Sequence, residues 1–465
     1  MDNRIIAFDA GENGGVACVF NAEPPRSYEA RRRAFVKTKF HNLPTNKKGF
    51  EKLLKLAPNV FVVEPTGMRY IQPWLDLCWE NGIEVRLVHN SELETYREKG
   101  CGWDEKDDPH DAFALGCYYY DYRNEPSRFI AIKDPETYLL REVVLQLNAI
   151  TKDCTMRRNR VTSYLAQYFP EQKDRRSNCG AKGNPPPFYA WIADRVDCSK
   201  REQTALNKRY RDSVAFNPQG FPYFLQRQAD QLCEMEIDQF VLDRELEQLL
   251  DHPRYRRYQA SFDELGMGNR IRATLLSQFY PFETFLTPDG KEIVDRVRYP
   301  NGKRTKHYIG RNRFMACLGM GCKSRSSGKK DGKVKKTGSA LCKNVLWLWV
   351  FSRIEVSKRA ALKNEYGQKL RAFFQSEKKE LSNDAGEIFK TIEKIRSEAE
   401  EIGSKKILEL LVELYDNLPR RLKRLDLKKV TQAKVKELLL PLARERTAAL
   451  GVKMLYRLLL AEFKR

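Results

Sequence analysis

Histidine is scarce: the chain has five in 465 residues. Its eleven cysteines are scattered and odd in number, with no Cys-x-x-Cys pair, and Cys317 and Cys322 have neither a second pair nor a histidine close by. These shortages argue against a structural zinc module and against a disulfide-stapled scaffold. They fit a reducing, cytoplasmic compartment. Long apolar runs are also missing. The longest, Val345–Phe351, falls far short of the roughly 18 residues that cross a bilayer. The opening stretch MDNRIIAFDAG has an early acid and a very short apolar run, which does not read as a secretory signal. No membrane partner is expected.

Positive charge is abundant. Lys and Arg number 84 against 62 Asp and Glu, a net charge of +22. That excess, in a chain that is 42% hydrophobic and 11% aromatic, describes a folded protein with a polyanionic partner. The length corresponds to about three domains, and changes in residue pattern divide it at 1–128, 129–258 and 259–465.

The first segment reads as α/β. Strands are expected at 4–9, 14–20 and 33–40, linked tightly enough to be antiparallel. Helical periodicity follows at 46–57, a buried strand at 60–64, a helix at 70–82, a fifth strand at 84–89 and a helix at 108–122 with proline in its first turn. This is a ribonuclease H-like order. The middle segment contains two long amphipathic stretches, which predict an antiparallel helical pair or coiled coil. The last segment reads as mainly helical. It is interrupted by a Gly-x-Gly turn at 265–268, a hairpin at 292–310 turning at Pro300-Asn301-Gly302 and a basic loop, and an added helical hairpin is expected at 378–418. The fold class is thus multidomain α/β plus α.

Four acids stand out. Asp9 ends the first strand and Glu64 the fourth, which are neighbours in such a sheet; Asp108 and Asp111 share one helix face. Singly, each reads as a turn or cap residue, with Asp108 a candidate N-cap. Together they form an oxygen-rich set suited to Mg2+ or Mn2+, with Asp104, Glu105 and Asp107 as nearby decoys. His110, between the acids, reads as a bystander.

The second constellation is KSRSSGKKDGKVKKTG, 323–338. Between Lys303 and Lys343 there are thirteen Lys or Arg residues and a single acid, Asp331. Lys323, Arg325, Lys329, Lys330, Lys333, Lys335, Lys336 and Lys343 are candidate phosphate contacts, and Gly328 and Gly332 permit close backbone approach. The cluster MRRNR (156–160) and the LGMG turn are weaker candidates for the same role. Trp347 and Trp349 read as core.

These pieces resemble the DEDD-type transposases of bacterial insertion sequences, the bridge-RNA-guided serine recombinases related to the Piv DNA invertase. The resemblance rests on FDAGENGG around Asp9, VEPTG at 63–67, KDDPHDA at 106–112, LGMG at 265–268 and CLGMGCKSRSSGKKDGKVKKTGS at 317–339. Where the family commonly has Asn, Leu and Arg after the final glycine, this chain has Ser339, Cys342 and Lys343. The resemblance implies a RuvC-like domain holding Mg2+ on Asp9, Glu64, Asp108 and Asp111. It also implies a second domain whose Ser327 attacks a DNA phosphate to form a phosphoserine intermediate. Ser324, Ser326 and Ser339 are alternatives for the nucleophile. The resemblance further implies donor and target DNA, a guide RNA, and a homo-tetramer whose protomers share the site. A Piv-like invertase and a Holliday-junction-type nuclease, which would use water and need only the carboxylates, remain alternative readings.

Overall fold

The computed structural model describes residues 4–65, 68–125, 128–130, 135–298, 302, 304–323, 335–356, 361–401 and 431–464. The chain divides into two compact units, Met1–Asp134 and Pro135–Arg465.

The first unit is built on strands whose residues are apolar on both faces. In β1 (Ile5–Gly11), Ile5 and Ala7 enter one core while Ile6 and Phe8 enter the other. All four residues of β4 (Val60–Val63) are buried in the same alternating way. A strand buried on both sides needs cover on both sides. Helices α2 (Lys47–Lys55) and α3 (Met68–Glu80) contribute to one core, and α4 (Asn90–Gly100) and α5 (Asp108–Tyr122) to the other. The sheet also contains β2 (Gly14–Phe20), β3 (Phe40–Pro44), β5 (Glu84–Val88) and β6 (Phe129–Ile130), in the order β3-β2-β1-β4-β5-β6. β1 is antiparallel to β2 and parallel to β4, β2 is antiparallel to β3, and β4 is parallel to β5.

Residues 33–40 do not form the expected third strand. They are the end of a helix, α1 (Tyr28–Lys37), and the strand begins at Phe40. The reason is Arg31, which the helix turns inward and buries. Its guanidinium donates to the carbonyls of Pro25 (2.8 Å) and Gly100 (2.7 Å) and to both carboxylate oxygens of Asp121 on α5. One turn further on, Phe35 packs against Phe40, Trp103 and Phe113. Helix α4 and strand β6, which antiparallel pairing adds beside β5, carry little periodic signal and were not foreseen.

The second unit is mostly helical. Helix α6 (Pro135–Tyr168) packs against α9 (Tyr223–Leu250) in antiparallel fashion: Thr151 meets Gln239, and Arg157 meets Gln228. Between α6 and α9 come α7 (Pro187–Ile192) and α8 (Lys200–Arg211). The pair contributes to two cores. One holds Cys154, Val161 and Leu165 of α6 with Leu225, Ala229 and Leu232 of α9; Phe188 and Trp191 of α7 and Leu206 of α8 complete it. The other begins at Leu140, Val143, Leu246 and Leu250. It continues through α10 (Arg256–Glu264), α11 (Asn269–Phe279), α12 (Ile309–Cys317), α13 (Ala340–Trp349), α14 (Glu365–Glu401) and α15 (Gln432–Lys464). The expected hairpin at 292–310 is present as β7 (Val294–Arg298) paired with β8 (Arg304–Tyr308). Of the stretch expected as a second helical hairpin, 378–401 lies within α14, which packs against α15. Residues 402–418 lie outside the described residues.

Replacing Arg31 by methionine keeps an apolar stem but takes a donor from Asp121 and two carbonyls. Asp121 stays partly open to water and keeps its bond from Tyr96, so the main cost is the two carbonyls left without a donor, about 1–3 kcal/mol. Urea unfolding of Arg31→Met is expected to show that loss, while Arg33→Met, at an exposed position on the same helix, stays near wild type.

Candidate metal centre

Alternation along the strands sets the site. Asp9 has the parity of Ile5 and Ala7, and Glu64 that of Val60 and Val62, so both fall on the sheet face covered by α5. Phe8 and Val63 are the last paired rung of β1 and β4, and Asp9 and Glu64 are the residues that follow it. Gly15 lies near this rung. A Cβ there would stand 2.1 Å from the Asp9 carbonyl oxygen, so only glycine lets β2 pass beside Asp9 undistorted.

Helix α5 supplies the other two acids from its first turn. The helix cap is Asp107, not Asp108: the Asp107 carboxylate accepts from the backbone N–H of His110 at 2.9 Å. It also meets the His110 ring Nδ1 at 2.6 Å. Partial burial works against ionisation of Asp107, but these hydrogen bonds hold its carboxyl below the usual range. With the capping role taken, Asp108 is left exposed in the first turn while Asp111 is buried. The His110 ring stacks on Phe35 with centroids 4.3 Å apart, a packing role that explains its position among the acids.

Asp9 registers the whole set. Its carboxyl is pushed up to about 7, first by burial and then by the negative charges of Asp111, Glu64 and Asp108; Lys106 works weakly in the opposite sense. Arg97, on α4, was missed in the sequence. It donates to Asp111 Oδ1 at 2.6 Å, and the two side chains are only 5% and 9% exposed. Its Nε is buried without a hydrogen-bond partner among the described residues. No sequence signal marks Arg97, because its helix has no strong periodicity and it lies 14 residues from the acid it binds.

Among the described residues, no three His, Cys, Asp or Glu side chains are gathered closely enough to hold a metal ion. The donor set nevertheless suits a hard divalent cation. It is all carboxylate, and burial together with the neighbouring negative charges raises the Asp9 carboxyl to about 7.

The serine-bearing segment is in the second unit. Its flanks pair as an antiparallel ribbon, β9 (Gly321–Lys323) with β10 (Lys335–Thr337), which sets Lys323 opposite Lys335 and Lys336 opposite Cys322. Gly338 closes the ribbon's base at φ 99°, where a Cβ would stand 1.7 Å from the Ala316 carbonyl oxygen. Ser324, Arg325, Ser326, Ser327, Lys329, Lys330 and Lys333 lie outside the described residues. Ser339 caps α13 by accepting from the Cys342 N–H. Lys343 is held in an ion pair with Glu445 of α15 at 3.0 Å. In MRRNR, Arg157 and Arg158 bond to Gln228 and Glu236 of α9. Trp349 is fully buried and donates to the Leu265 carbonyl, whereas Trp347 stacks at the surface on the exposed Phe351.

A family model for the IS110-type DEDD transposases, described as Transposase, matches residues 28–170. Within residues 28–170, less than half of the chain, the protein is similar to a DEDD transposase domain. The match assigns it DNA transposase or recombinase activity. Transposases of this type typically use a divalent metal ion. The matched stretch runs from α1 to just beyond α6, and so contains Glu64, Arg97, Asp108 and Asp111 but neither Asp9 nor Ser327. No curated protein matches the chain. Among the described residues no helix is long and apolar enough to cross a membrane.

The raised Asp9 carboxyl has a consequence for stability. Between about 4 and about 7 the folded protein keeps a proton that the unfolded chain has released, so raising pH through that window favours unfolding. In chelator, the melting temperature of Asp9→Asn is therefore expected to gain on wild type as pH rises from 4 to 7. Parallel curves would mean that Asp9 is not crowded.

Proposed function

We propose that the protein cuts and rejoins DNA through a covalent phosphoserine intermediate, with Asp9, Glu64, Asp108 and Asp111 holding Mg2+ or Mn2+ in a RuvC-like, ribonuclease H-type domain. The observation that carries this reading is that Asp9 and Glu64 follow the last rung of adjacent strands on the face covered by α5, with Asp111 and Asp108 near enough to raise the Asp9 carboxyl. A divalent ion bound there would polarise a DNA phosphate and stabilise the charge that develops during displacement. The chain's own residues do the rest. Asp107 and Pro109 start α5 so that Asp108 and Asp111 project from one turn. Arg97 fixes Asp111 and offsets part of the local negative charge.

Ser327 is the proposed nucleophile, with Ser326 the next candidate. Its Oγ bonds to phosphorus, the bond from phosphorus to a deoxyribose oxygen breaks, and that oxygen takes up a proton. An incoming deoxyribose hydroxyl then reverses the exchange, releasing the serine. The seven Lys and Arg residues from Lys323 to Lys336 supply the positive field such a displacement needs. The three-domain division at 128 and 258, a helical coiled-coil middle, a bridging guide RNA, a homo-tetramer and a cytoplasmic, nucleoid-associated location belong to the same proposal. They are supported by the motif resemblance.

The test is a denaturing gel of protein incubated with cognate donor and target DNA. Wild type is expected to give a protein–DNA adduct, Ser327→Ala to give none, and Asp9→Ala or Asp108→Ala to lower adduct yield at least 100-fold. Cleavage without any adduct would replace this reading with a metal-dependent nuclease that uses water. Sequencing of RNA that copurifies with the protein tests the guide: a defined species supports it, and random fragments count against it.

A further inference from the structure

The β7–β8 ribbon is a small element that no part of the proposed chemistry uses. Its register sets Arg296 opposite Lys306 and Arg298 opposite Arg304. Residues two apart on a strand share a face, so all four cations lie on one side of the ribbon. Same-face neighbours along a strand are about 7 Å apart and directly opposed residues about 5 Å apart, which places four positive charges in one tight patch. The ribbon's acid, Asp295, pairs with His307 on the other face.

This arrangement works against the hairpin that carries it. Like charges directly opposed across two strands are destabilising. All four side chains are exposed, and none forms an ion pair among the described residues. The ribbon's base is nonetheless well held. The Gly310 N–H donates to the Ile293 carbonyl at 3.3 Å, and the Arg311 guanidinium lies 4.2 Å from the Tyr308 ring centroid. A rigidly rooted ribbon whose exposed face repels itself is suited to a polyanion that supplies the missing negative charge.

We infer that the β7–β8 ribbon is a docking element for duplex DNA, with Arg296, Arg298, Arg304 and Lys306 facing phosphates along a groove. The choice of DNA follows from dimensions. The major groove of B-form DNA, about 12 Å wide, admits a two-stranded ribbon, whereas the major groove of an A-form RNA helix is too narrow for side chains to read. The inference rests on DNA being the substrate, and it assigns a particular surface to that substrate outside the carboxylate site and the serine segment.

The experiment compares wild type with a variant carrying Arg296→Ser, Arg298→Ser, Arg304→Ser and Lys306→Ser, titrated with a B-form duplex and with an A-form RNA duplex over a range of salt. Each lost phosphate contact flattens the dependence of log affinity on log salt by about 0.9, so the variant is expected to lose a slope of about 3.6 on DNA. Its melting temperature is expected to equal or exceed that of wild type, because opposed like charges have been removed. A merely structural ribbon would instead lower it. An unchanged slope on DNA, or a loss confined to RNA, overturns the inference. If wild type itself binds no DNA, the transposase reading fails rather than the ribbon alone.

Discussion

Burial of Asp9 at a strand end, close to three other acids, is the constraint on which the candidate site of the first unit depends. The apolar alternation that buries β1 and β4 also delivers Asp9 and Glu64 to the face where α5 begins. A pair of acids on neighbouring strands would be tolerable in water. Partly buried and joined by Asp111 and Asp108, they lift Asp9 to near neutrality. Such a charge cluster survives in a folded domain only when counterions answer it. Arg97 answers Asp111 directly, and Lys106 stands close enough to be felt. The rest of the negative charge is what the proposed Mg2+ or Mn2+ would answer.

Positive charge is handled in the opposite way. Several arginines inside the two units are paired: Arg31 with Asp121, Arg158 with Glu236, Arg195 with Asp197, Asp230 and Glu234, and Arg444 with Glu355. These hold helices together and contribute little to a surface field. The cations of β7–β8 are left exposed and opposed to one another, and the stem of the serine segment sets Lys323 against Lys335. The protein thus spends one set of basic residues on its own fold and leaves another set, on β7–β8, facing outward. A transposase must hold a strongly charged polymer, and net charge alone does not reveal which residues are left free for that task.

Much of the first unit was legible because buried strands and capped helices write themselves in short-range patterns. RIIAFD, VFVVE and EVRLVH are apolar runs of strand length, and Asp-Pro opens a helix at α5. Most of the failures come from partners distant in the chain. YEARRRAFVK looked partly like a strand because the helix-favouring reason, a buried Arg31, depends on Asp121 ninety residues away. The sequence offered Asp108 as the cap and Asp107 as a bystander, and only the contact with His110 makes Asp107 the cap. Arg97 carried no signal at all, since its partner is reached through the packing of α4 on α5.

What the sequence determined by itself was the inventory and its order: strand-end acids, a helix that presents Asp108 and Asp111 on one face, a serine set in glycine and lysine, and a large positive excess. Those features are local, set by side-chain chemistry, a two-residue strand period and helix-start rules. Tertiary structure decided which acids feel one another, which histidine merely packs, which lysine is tied to Glu445, and which cations oppose each other across a ribbon. Apart from the ribbon, whose register is local to its hairpin, each of those facts is a distance between residues far apart in the chain, and such distances exist only once the core has closed.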